Sequence, residues 1–142
     1  GIANTLQDPA RLAMAAQVLG DAFLQTDSLK ASRYHFQHAQ NHLMGHPLVR
    51  TDLLVRAGLA QLLCIEQAFP DSLDTLFEAE RLALKNHAAF ELVVIYDAFA
   101  LVYARSGQAD ESTRFQSMAH EMRSELGIEA AISHQFKRPH AA

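Results

Sequence analysis

The sequence predicts an all-α chain of three stacked helical hairpins, and three observations carry that expectation. Ala and Leu supply 43 of the 142 residues, against 16 for Val, Ile and Thr together. Ala and Leu lose little on entering a helix and β-branched residues favour strands, so the balance argues against a sandwich or barrel. Side chains also recur at a step of 40: Gly20, Ala60 and Ala100 are small, Ser32, Ser72 and Ser112 are identical, and so are Ala39, Ala79 and Ala119. Large residues follow the same step, as Leu19, Leu59 and Phe99, and as Phe23, Leu63 and Tyr103. Small residues suit points where two helices approach closely, and large ones fill the space beside them. Turn signals, finally, separate six helical stretches.

Each element follows from local signals. Asp8-Pro9 is an N-cap with Pro at the first helical position, so a helix is expected over about 9–25. Gln25-Thr26-Asp27-Ser28 separates it from a second, over 28–45. His46-Pro47 precedes a third over 48–67, and Pro70-Asp71-Ser72 starts a fourth over 70–86. Asn86-His87 leads to a fifth over 88–105, and Ser106-Gly107-Gln108 to a sixth over 109–126, ended by Gly127. Residues 128–142 hold a short apolar stretch, Ile128, Ala131 and Ile132, before Lys137-Arg138-Pro139 breaks it. One domain is expected over 1–142, with repeats at about 9–46, 47–86 and 87–126 and a capping tail at 127–142. The start, Gly-Ile-Ala-Asn, has neither Met nor a signal peptide and reads as a fragment of something longer.

Composition narrows the function. A net charge of −4 and a pI near 6.0 argue against nucleic acid as a partner, which needs clustered Lys and Arg. No run of about 18 apolar residues suggests a membrane span. Cys64 is the one cysteine, which rules out an intrachain disulfide or a cysteine zinc site and fits a reducing, cytoplasmic setting.

These spacings resemble the tetratricopeptide repeat (TPR) family, whose hairpin carries W-x2-L-G-x2-Y, then A-x3-F, then Pro. The first unit reads Ala16-x2-Leu19-Gly20-x2-Phe23, then Ser32-x3-Phe36 and a late Pro47. The second reads Arg56-x2-Leu59-Ala60-x2-Leu63 and Ser72-x3-Leu76, the third Tyr96-x2-Phe99-Ala100-x2-Tyr103 and Ser112-x3-Gln116. The departure is a step of 40 where the family has 34; long-helix variants of this kind occur in bacterial regulatory and signalling proteins. The resemblance covers about residues 9–126 and implies a right-handed α-α superhelix whose first helices line a concave groove. Armadillo and HEAT repeats fit the hairpin length but lack the L-G-x2-Y pattern.

The family's groove positions carry over to Met14, Gln17, Asp21, Leu24 and Gln25; to Leu54, Ala57, Gln61, Cys64 and Ile65; and to Val94, Asp97, Leu101, Ala104 and Arg105. The resemblance implies a protein or peptide partner there, and the Lys/Asn/Arg set that clamps a C-terminal carboxylate in co-chaperone members is absent. The competing reading is that many of these side chains touch only neighbouring helices. Helix five is apolar nearly all round, with only one helix beyond it. Either residues 128–142 fold back to cap it or another chain covers it, in which case Val94, Tyr96, Val102 and Tyr103 are the expected interface of a homodimer or docked partner.

His35, His38, His42 and His46 line the second helix, and the His38/His42 pair has the i, i+4 spacing of a metal chelate. No Asp, Glu or Cys in the stripe completes a set of three or four ligands, so an ordinary polar flank is the stronger reading. No nucleophile elbow, phosphate loop or zinc-protease motif is present, and Cys64 on an apolar helix reads as a small core residue. The sequence therefore leads to a non-catalytic interaction domain without a cofactor. The alternatives are a small-ligand or signal-peptide sensor and, ranked last, a histidine metal site.

Overall fold

A computed structural model describes residues 8–45 and 47–137, with side chains described as far as Gly127. Six helices follow one another: α1 (Pro9–Gln25), α2 (Leu29–Gly45), α3 (Val49–Ile65), α4 (Phe69–Lys85), α5 (Ala89–Arg105) and α6 (Ala109–Lys137). Each of the first five spans 17 residues. The 40-residue step is thus two 20-residue steps, one for each arm of a hairpin. His46 and the break at Arg138-Pro139 lie outside the described residues.

The turns explain this regularity. Asp27, Gln67, His87 and Gly107 have positive φ, 59°, 64°, 53° and 84°. The N–H of each following residue then reaches back to the carbonyl of Phe23, Leu63, Ala83 or Tyr103, at 2.8–2.9 Å. This is the paired Schellman closure, in which a left-handed residue lets the last carbonyls of a helix find donors. At the other end of α1, the Asp8 carboxylate accepts from the Ala10 N–H at 3.0 Å, with Pro9 at the first position.

The helices form two layers. α1, α3 and α5 touch their neighbours in one layer, while α2 and α4 each pack against the first helix of their own hairpin and of the next. Among the described residues no contact joins α2 to α4 or α4 to α6. The small columns sit where the arms meet: the buried hydroxyls of Ser32, Ser72 and Ser112 donate to the carbonyls of Gly20, Ala60 and Ala100 at 2.8, 2.6 and 2.8 Å. Phe36, fully buried, inserts between Gly20 and Gly58; a Cβ at either glycine would lie 2.6 or 2.2 Å from its ring. In the third hairpin Phe115 packs on its own first helix instead, with its ring 4.4 Å from Phe99 and 5.6 Å from both Tyr96 and Tyr103.

Two expectations change. α6 runs through Gly127 to Lys137, so Gly127 ends nothing and no separate capping segment begins there. A C′ glycine ends a helix by turning left-handed, and among described glycines only Gly107 does so. The apolar girth of α5 does not form an exposed interface either. α3, α4 and α6 cover most of it. Of the four residues expected at an interface, Tyr96, Val102 and Tyr103 are buried within the chain and Val94 is exposed, while Phe90 and Leu101 are the other exposed large apolar side chains of this helix.

Candidate functional site

The surface that the sequence singles out lies on the α1/α3/α5 layer. Helices of equal length in register place residues 40 apart in rows across the three helices. Met14, Leu54 and Val94 form one row, all apolar and all at least partly open to solvent. Asp21, Gln61 and Leu101 form the next, and Gln25, Ile65 and Arg105 the third. Among the apolar members, Met14 is 52% exposed and Val94 and Leu101 37% each.

Four other carried-over positions do not reach solvent. Gln17 is buried and its amide donates to the Asp21 carboxylate. Burial pushes the Asp21 carboxyl up, and this hydrogen bond partly offsets the shift. Leu24, Ala57 and Cys64 belong to the core. Burial also raises the Cys64 thiol, with Arg105 acting in the opposite sense, so at neutral pH it holds its proton and is no nucleophile. Asp97 is exposed but engaged, accepting from the Arg123 guanidinium of α6.

The histidines divide. His38 and His42 bring their Nε2 atoms to 3.1 Å, with ring planes at 90°. His35 turns away and stacks on Phe23 of α1 at 5.3 Å. Among the described residues no group of three or more His, Cys, Asp or Glu side chains converges on one point. The pair supplies two donors, short of the three or four that hold zinc.

Two features were not anticipated from sequence. An open cleft of about 430 Å³ lies where the end of α2 meets the start of α3, lined by Gln40, Met44, Pro47, Leu48, Asp52 and Arg56 among others. Only the His46-Pro47 turn hinted at it. The far end of the stack is polar, with Asp97, Gln116, His120 and Arg123 together around an open hollow. The register would have revealed this, since Gln116 stands where Phe36 and Leu76 stand, and Arg123 where Leu43 and Ala83 stand. No described helix is long and apolar enough to cross a membrane. Comparison with protein-family models, curated proteins and solved structures gives no match.

Proposed function

We propose that the chain is a non-catalytic protein–protein interaction domain of TPR-like design, a right-handed superhelix that receives a helix or extended peptide across α1, α3 and α5. It serves a regulatory or signalling protein, as the long-helix variants do. The observation that carries this reading is the open apolar row of Met14, Leu54 and Val94, backed by Gln61, Leu101 and Arg105. Packed helices lie about 8–10 Å apart, so the row spans roughly 20 Å. That length matches about six residues of extended peptide or four turns of helix. Apolar anchors flanked by amides and a guanidinium suit a partner that buries two or three side chains and pairs its backbone with the rim.

The test is selection of peptide binders from a displayed library, followed by two charged variants. Leu54→Glu with Leu101→Glu should weaken the selected binders by at least about tenfold, as loss of an anchor does. Phe77→Glu, on exposed α4 surface away from the row, should leave them unchanged. Binders that ignore the first pair of substitutions would place the site elsewhere. A second reading, a small-ligand sensor, finds support in the cleft between α2 and α3. It requires a metabolite that raises the Tm of the protein and loses that effect in Arg56→Ala.

A further inference from the structure

The two ends of the stack are built differently. α3 packs on the first hairpin through Val55 and Leu62, which are fully buried. α5 uses the same positions, Ile95 and Val102, against the second hairpin, again fully buried. In α1 those positions are Ala15 and Ala22, and both are exposed. The position of Gly58 and Ala98, also buried, is Val18 in α1, 61% exposed, and Leu19 beside it is 44% exposed. Among the described residues, α1 therefore carries the inter-hairpin packing face of this fold with nothing packed on it. At the other end the receiving surface is mixed: Gln116 and Arg123 replace the Phe and Leu that receive α3, and Arg123, paired with Asp97, borders an apolar hollow of Phe90, Val93 and Leu126.

We propose that this face of α1 joins two copies of the chain in a two-fold dimer. The face suits itself. Between Arg11 and Asp21 the helix carries no charge, so two copies meet without repulsion. Ala15, Val18, Leu19 and Ala22 read small-large-large-small in either direction. A second α1 laid antiparallel sets the large pair of one chain between the small residues of the other, around an axis midway between Val18 and Leu19. An isologous contact of this kind closes at two chains. Head-to-tail stacking of copies would instead bury the Arg123–Asp97 pair and Gln116 under α1, which costs desolvation that the two-fold contact avoids. The dimer uses a face distinct from the proposed peptide row, so neither reading depends on the other.

One helix pair makes a small interface, so a dissociation constant of roughly 1–100 µM is expected. Sedimentation velocity of the intact protein across that range should show monomer passing to dimer. Val18→Glu and, independently, Leu19→Glu should weaken the dimer by at least about tenfold. Tm should change little when it is measured below the concentration at which the dimer forms, because both side chains are exposed in the single chain. Val94→Glu, on α5, should leave the dimer intact. Overturning results are a monomer at every concentration, a dimer indifferent to both α1 variants, or one lost in Val94→Glu. The first of these would leave the face to a hairpin of another protein or of a longer chain.

Discussion

Ser32, Ser72 and Ser112 each bury a hydroxyl where a carbonyl twelve residues earlier receives it. A buried hydroxyl without a partner costs about 1–3 kcal/mol, so serine is tolerated here only because the opposing residue is small enough to let its carbonyl approach. The serine and small columns are thus one device, joining the arms of each hairpin. Glycine plays a similar part around Phe36. Gly58→Ala in an open helix would gain up to about 1 kcal/mol of helix propensity. Here the new Cβ would stand 2.2 Å from the Phe36 ring, which is fully buried and also confined by Gly20. Overpacking costs about 1–3 kcal/mol, so the clash wins and Gly58→Ala should lower stability in urea unfolding. Phe36→Leu should recover part of that loss when combined with it, and a double-mutant cycle showing no coupling would refute the wedge. Tyr96 gives a pH-dependent case. Burial, then a hydrogen bond and nearby charge from Glu80, push its phenol up from 10.0 to about 12. The unfolded chain releases this proton first, so stability is intact below about pH 10 and declines as pH rises towards 12. Tyr96→Phe should flatten that decline, measured as urea midpoints at about pH 9, 10 and 11. Tyr103 is raised too, by burial first, so part of the slope remains.

At the scale of elements, the helix-ending turns carry the sequence information best. Asp27, His87 and Gly107 lie in turns that the sequence marks, and Asp, His and Gly are among the residues that accept positive φ; Gln67 adopts it without such a signal. Gly127 shows the converse. Its residue type suggests a C′ cap, yet a cap also needs the chain to leave the helix axis and pack the next segment against the core, and α6 continues instead. A capping glycine and a helical glycine predict opposite signs for Gly127→Ala. Nothing lies within 4 Å of a Cβ built there. With a right-handed backbone the substitution should therefore add helicity and about 0.5–1 kcal/mol of stability. A fall in Tm would instead restore the cap. α5 was legible as buried but not as to what buries it. An all-apolar helix needs cover on every side, and α6, polar by composition, supplies it by placing Phe115 into the cluster of Tyr96, Phe99 and Tyr103. Counting hydrophobic residues on α6 hides that contribution, because one aromatic side chain buries as much surface as several small aliphatic ones. The rows of the candidate site were legible as positions, since register follows from the step of 40. Their exposure was not: Gln17 and Cys64 sit at recurring groove positions yet face inward, which depends on how far each helix is rotated about its axis.

For the whole molecule, the substitutions that vary along the repeat matter more than those that recur. Three hairpins share small contacts, serine bonds and turn geometry, and so any one could stack on any other. What sets the receiving surface of the third hairpin apart is the pair of changes that put Gln116 and Arg123 on it. Burying the Arg123–Asp97 pair and an amide under a further helix would cost several kcal/mol of desolvation, which its packing would have to repay. Solenoid ends require such polar surfaces to stay soluble. Reversing both should expose the consequence. Gln116→Leu with Arg123→Leu gives this end an apolar receiving surface like that of the first two hairpins, while α1 still presents the matching face. The contact is then heterologous and, unlike a two-fold contact, does not close, so chains should add one to another without limit. Light scattering of the double variant should show mass rising steeply with concentration beyond a dimer. Adding Val18→Glu should abolish that growth, because it charges the face that the new surface would receive. A double variant that scatters like the unaltered protein would mean that the polar end is not what terminates the stack.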